Sequence, residues 1–352
     1  MKKNLLLLLI ASSSFVYAQV LQSENFNALT VGNISTEITG TVPGQGNYLF
    51  FANNGTAPTT STNADVSNAQ IVSGGNASLG LQLEGPDGDK GSRYLWQSGF
   101  STIWASRTTT NNIIELELDI NPGDGTSTSR NTFGAYIFNA AGNVVAGFNV
   151  RAATRELFLV AYSTPTGNPV GNYNYTLAAA PGIQLPASTW SRIGVSYNKT
   201  TGQVRIKGPG IAEPGLTLNG SATGTDPDEI DFISFSGNTT AAPNSLAATM
   251  VMDNLQVKAS STDTLLGLNQ IANDEDFSVF PNPATNLVSI SSTSNFSINN
   301  VEMFDINGRI IKSIPLDNLS NVDITISDLS SGVYMMRITT DQGALTKKIV
   351  KQ

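Results

Sequence analysis

From Gln19 to about Lys258 the chain is a succession of short runs in which apolar and polar residues alternate. Each run is closed by a cluster of Gly, Asn, Asp, Ser or Pro. NNIIELELDI (111–120), NTFGAYIFN (131–139), NVVAGFNV (143–150), ELFLVAY (156–162), SRIGVSY (191–197), QVRIKG (203–208), EIDFISFS (229–236) and TMVMDNLQVKA (249–259) follow this rule. A period of two sends successive side chains to opposite faces of a strand, and no segment keeps a helical period. Evenly spaced strands with turn signals predict an all-β sandwich or jelly roll. Hydrophobic residues make up 40% and charged ones only 13%, which suits a loop-rich β protein with a real core rather than a disordered chain.

Two absences narrow the chemistry. There is no Cys and no His among the 352 residues. That excludes disulfides, thiol nucleophiles, thiolate metal sites, Ser-His-Asp and Cys-His catalysis and HExxH zinc sites. Carboxylate chemistry, oxygen-ligated cations such as calcium, or pure binding remain. The formal charge of −8 comes without a basic stripe, so neither nucleic acid nor anionic membrane is an expected partner.

The first residues, MKKNLLLLLIASSSFVYAQ, have a basic start at Lys2 and Lys3, an apolar stretch and small residues before Ala18. This pattern predicts a signal peptide over residues 1–18, cleaved between Ala18 and Gln19. No run is long enough to span a bilayer as a helix, and the chain reads as exported. Residues 259–276 mix small, polar and acidic residues and read as a linker. Residues 277–352 form a second β unit with six acids and six bases. There Pro281-Asn282-Pro283 stops a strand and Asn307-Gly308 signals a hairpin. A small immunoglobulin-like sandwich is expected.

FSVFPNP, MFDINGR, SSGVYMMRI and the basic final strand TKKIVKQ, in that order, resemble the type A C-terminal sorting domain of the type IX secretion system of Bacteroidetes. The resemblance implies passage through the periplasm and outer membrane to the surface or medium, with the secretion machinery as partner. It maps the sorting signal to Pro281, Asn282, Pro283, Gly308, Arg309, Gly332, Tyr334, Lys347 and Lys348. Gly332 is expected to supply a backbone conformation closed to other residues. Asp263-Thr264-Leu265 resembles the O-glycosylation acceptor of the same phylum, at Thr264.

STWSRIGVSYNKTTGQVRI (188–206) reads as a hairpin reversed at Asn198–Gly202, with Trp190, Ile193, Val195 and Tyr197 expected inward. It resembles the tryptophan-containing hairpin of concanavalin A-like and laminin-G-like jelly rolls, a pattern extending over residues 19–258. In IIELELDI, Glu115, Glu117 and Asp119 project from one face of a strand. Concanavalin A-like glucanases carry Glu-x-Asp-x-Glu there, so the order here departs from theirs. The leading reading is a wet outer face balanced by Arg neighbours, with a cation or sugar contact next and catalysis last. Glu24 and Asp253, on the first and last strands, match the place where such jelly rolls hold a structural calcium. The loop GPDGDKG (85–91) competes for that role. Tyr94, Trp96 and Trp104 are the candidate ligand-stacking residues. The expectation is a non-catalytic, exported, glycan-binding protein. A glycoside hydrolase or lyase and a structural surface component are the alternatives.

Overall fold

The computed structural model describes residues 18–352 apart from 56–62, 77, 221, 238–242, 267–276, 293–297, 306–308, 320 and 341–342. The signal-peptide reading of residues 1–18 therefore falls almost wholly outside the described residues. Among those described, strands dominate and no helix is long and apolar enough to cross a membrane. The chain divides into two compact units, ending and beginning at Leu266 and Gly267.

The first unit is a sandwich of two antiparallel sheets. One has nine strands, in the order Leu216–Asn219, Gln203–Lys207, Ser191–Asn198, Ile113–Asn121, Thr249–Ser260, Gly80–Glu84, Ala69–Val72 and Gly32–Asn33, with Gln19–Glu24 pairing onto Thr249–Ser260. The other has seven, in the order Gly171–Thr176, Leu157–Ser163, Val144–Arg151, Thr132–Asn139, Pro227–Phe235, Ser92–Gln97 and Tyr48–Asn53. Alternation decides the layers. Ile114, Leu116, Leu118 and Ile120 are fully buried between the sheets with Ile193, Val195, Tyr197, Phe148 and Phe232. Each such aliphatic side chain contributes about 1.5–3 kcal/mol when taken out of water. The predicted hairpin pairs Val195 with Ile206 and Tyr197 with Val204, and Gly202 closes it at φ 73°, a conformation glycine adopts freely. Trp190 departs from expectation: it lies before the strand, out of phase with Ile193, and is half-buried outside the core cluster.

The second unit pairs a three-stranded sheet, Phe277–Phe280, Leu287–Ser292 and Asn321–Thr325, with a four-stranded one, Ile310–Leu319, Ile298–Phe304, Gly332–Thr340 and Gly343–Lys351. Phe277, Val288, Ile290, Val301, Met303, Met336 and Ile349 share its separate core. The two units together make the chain all-β, a large jelly-roll sandwich followed by a small sandwich.

Candidate functional site

The acid strand Ile113–Asn121 is central in its sheet, and its outward face is not wet. Glu115, Glu117 and Asp119 are 0%, 3% and 6% exposed. The reason lies in residues 261–266, expected to be linker, which fold back across this face as a strap. Arg205 Nη1 anchors it to Asp263 at 2.7 Å. The Thr264 N–H and hydroxyl donate to the two oxygens of Glu115 at 2.5 and 2.6 Å, and Leu266 N–H donates to Glu117 at 3.1 Å. Leu265 is fully buried. It rests where Gly194 has no side chain, since a Cβ there would come within 2.7 Å of Leu265 Cδ1.

The charges beneath the strap are matched. Lys258 Nζ sits 2.6 Å from Glu117 and 3.4 Å from Glu115, and Arg192 reaches Glu117 at 3.2 Å and Asp119 at 3.0 Å. Asn76 and Asn254 each donate to Asp119 at 2.8 Å. Burial pushes the Glu115 carboxyl up, opposed by Lys258 and the donors from Thr264 and Ser260. Every acid here is engaged by cations or hydrogen-bond donors, as buried charges must be. The solvated-face expectation is corrected on this point, and the three carboxylates are closed to a substrate. Thr264, the expected glycosylation acceptor, has its hydroxyl committed to Glu115.

Glu24 accepts from Phe26 N–H at 2.6 Å, and Asp253 from Asn76 and Asn254 N–H at 2.7 Å each. In the 85–91 loop, Asn244 donates to the carbonyls of Pro86 and Gly88 at 3.0 Å. Among the described residues no three Asp or Glu side chains converge to hold a metal ion.

The seven-stranded sheet presents the opposite situation. Its outer face carries Phe51, Tyr94, Tyr136, Phe138 and Phe235 as neighbouring rings, with centroids 5.5–6.5 Å apart. Trp96 stands beside them, opposite Asp231 in the pairing of Ser92–Gln97 with Pro227–Phe235. Tyr94, Trp96, Phe51 and Phe138 are half-buried. They line a cavity of about 420 Å³ together with Asp228, Glu229 and Asp231. A second cavity, of about 500 Å³, shares Tyr94, Phe138 and Gly142 and adds Asn149, Arg151, Asn172, Asn174 and Phe158. The two form one groove across the sheet. Asn149 donates to the Tyr136 hydroxyl and to Asn174 Oδ1, both at 2.9 Å. Arg151 lies over the Phe158 ring at 4.7 Å and pairs with Glu156 at 3.1 Å.

Asp231 is 3% exposed, and its Oδ1 has no hydrogen-bond partner. Burial first, then the adjoining Glu229 carboxylate, raises its pKa well above the ordinary range. Burial raises Glu229 too, reinforced by Asp228 and opposed by a hydrogen bond from Asp231.

Of the expected ligand residues, the structure thus brings Tyr94 and Trp96 together and removes Trp104. Trp104 is 1% exposed in the short helix Phe100–Ala105. Its indole N–H donates to Asp226 at 2.7 Å and Arg107 covers its face at 3.9 Å, so it is a core residue. Sequence reasoning missed Phe51, Phe138, Glu229 and Asp231. The signal was present in EIDFISFS, where two acids two residues apart repeat the pattern of IIELELDI.

In the second unit, Pro281 and Pro283 flank an asparagine that joins the two small sheets. Asn282 Nδ2 donates to the Lys348 carbonyl at 2.7 Å, and Val350 N–H donates to Asn282 Oδ1 at 2.9 Å. Ala284 N–H donates to the Val350 carbonyl at 2.8 Å and Gln352 N–H to the Ala284 carbonyl at 2.9 Å. Arg309 donates to Asp305 at 3.0 and 3.2 Å across the hairpin base, while Gly308 lies outside the described residues. Tyr334 donates its hydroxyl to the Ser330 carbonyl at 2.8 Å. Lys347 and the exposed Lys348 lie on the edge strand Gly343–Lys351. Gly332 corrects an expectation: its φ is not positive, and a Cβ there would meet nothing closer than 3.8 Å.

Residues 278–352 match the family described as the secretion system C-terminal sorting domain. That segment is a type IX sorting tail, and it directs the chain to the cell surface or the extracellular space. No curated protein matches the chain. Among solved structures, it is similar to a marine alginate lyase from Aplysia kurodai, at 11% identity over 69% of this chain and 100% of that one, TM-score 0.40. Alginate lyase vAL-1 from a Chlorella virus aligns at 12% identity over 68% and 100%, TM-score 0.40. Cellulose induced protein Cip1 aligns at 10% over 68% and 97%, also at 0.40. Likeness at this level says nothing of the site.

Proposed function

We propose that the first unit is a non-catalytic glycan-binding jelly roll, carried out of the cell by its sorting tail. Its ligand lies along the outer face of the seven-stranded sheet. The observation that carries this reading is the continuous groove formed by the two cavities, walled by half-buried rings and by side-chain amides. Ring faces stack on the apolar faces of sugars, amides take up hydroxyls, and each cavity has the volume typical of ligand pockets. The acids of the other sheet take no part, being matched by Lys258, Arg192 and the strap. Calcium at Glu24 and Asp253 remains a proposal that a chelator-dependent melting temperature would support.

The test is a titration of the full chain against a panel of oligosaccharides. Trp96→Ala is expected to weaken binding of the best ligand by at least about tenfold, near 1.4 kcal/mol. Absence of binding to any glycan, or binding indifferent to Trp96→Ala, overturns the reading. Release of products from a polysaccharide would return the enzyme alternative.

A further inference from the structure

The groove is chemically lopsided. At one end, the ten residues lining the smaller cavity include Asp228, Glu229 and Asp231 and no Lys or Arg. At the other end stands Arg151, whose charge is taken up by Glu156 at 3.1 Å. A carboxylate-bearing sugar entering the acidic end would meet three acidic side chains and no base.

We propose that the acidic end of the groove binds the ammonium group of an amino sugar, an unacetylated glucosamine-type residue within a longer glycan. This rests on the glycan-binding reading and names the class of sugar. Three features converge on a cation. Asp231 is 97% removed from solvent, lines the cavity and has a buried Oδ1 without a hydrogen-bond partner, its carboxyl being otherwise hydrogen-bonded to Glu229. Glu229, two residues away on the same strand face, is half-buried and able to share the charge. Phe51, Tyr94, Trp96 and Phe138 wall the same cavity, and aromatic faces attract cations electrostatically. Charge-assisted hydrogen bonds from ammonium to carboxylate are stronger than neutral ones, so the amine outranks a hydroxyl at this place. Burial is the first cause of the raised proton affinity of both acids, and a neighbouring acid adds to it in each case, Asp228 at Glu229 and Glu229 at Asp231.

The experiment compares four probes on the full chain by calorimetry at low ionic strength. They are a β-1,4-linked glucosamine oligomer, its N-acetylated counterpart, a cello-oligosaccharide and an oligomannuronate. The glucosamine oligomer is expected to bind about tenfold or more tightly than the cello-oligosaccharide, with the oligomannuronate weakest. Raising the ionic strength from about 0.01 to 0.15 M, which shortens the screening length from about 30 to 8 Å, should erode that advantage. Glu229→Gln should bring the ratio of glucosamine-oligomer to cello-oligosaccharide affinity down to near one. Equal affinity for amine and hydroxyl sugars, or preference for the uronate, sinks the amine assignment and leaves glycan binding standing if Trp96→Ala still weakens it. No binding by any probe sinks both.

Discussion

The two outer faces of the large sandwich each carry carboxylates two residues apart on a strand, and they use them in opposite ways. On the nine-stranded sheet, Glu115, Glu117 and Asp119 are buried under a strap and engaged by Lys258, Arg192 and Thr264. On the seven-stranded sheet, Glu229 and Asp231 line a cavity with no Lys or Arg beside them, and Asp231 Oδ1 is buried without a hydrogen-bond partner. The sequence motif is the same. What differs is whether cations and donors from distant segments arrive to satisfy it, which separates a structural acid from one available to a ligand.

The comparison breaks hardest at Lys258. Lys258→Met removes the ammonium shared by Glu115 and Glu117 and strands buried charge, which costs about 3–5 kcal/mol. Thermal unfolding should show a melting temperature lower by about 6–20 °C, at about 2–4 °C per kcal/mol for a unit of this size. A shift under about 2 °C would mean the acids are solvated after all. Gly194→Val comes next, because its side chain would occupy the seat of Leu265 and Leu266. Displacing the strap should cost about 1–3 kcal/mol and open 261–266 to limited proteolysis, with glycan binding unchanged. Persistent protection of that segment would contradict the strap.

The smallest effect has the opposite sign. Because folding raises the pKa of Asp231, its stabilising contribution is complete below the unfolded carboxylate value near pH 4 and is lost as pH rises through the folded value. Asp231→Asn should therefore raise the melting temperature at pH 7 by about 2–6 °C, a gain that fades toward about pH 4. A destabilised variant at neutral pH would show that Asp231 is paired like its counterparts across the sandwich.

Period-two alternation was enough to read the strands, the inward set Ile114 to Ile120 and the shared face of Glu115, Glu117 and Asp119. It could not show that residues 261–266 return to cover that face, because nothing in STDTLL carries a strand pattern and its partners lie some 150 positions earlier. Trp104 was misplaced for a related reason: a one-turn helix among strands leaves no periodic trace, and its partner Asp226 is far along the chain. The groove was half legible. Tyr94 and Trp96 stand out by size, whereas Phe51, Phe138 and Asp231 become a wall only when four strands from separate parts of the chain align. The sorting tail was the most legible part, its motifs being local and ordered.

The asparagine between the two prolines carries a consequence for biosynthesis. Its amide grips Lys348 and Val350, sixty-six and sixty-eight residues downstream, so the seam between the two small sheets stays open until that last stretch leaves the ribosome. A chain truncated before Lys348 would lack this clasp, and the two small sheets would lose the side-chain hydrogen bonds that join them.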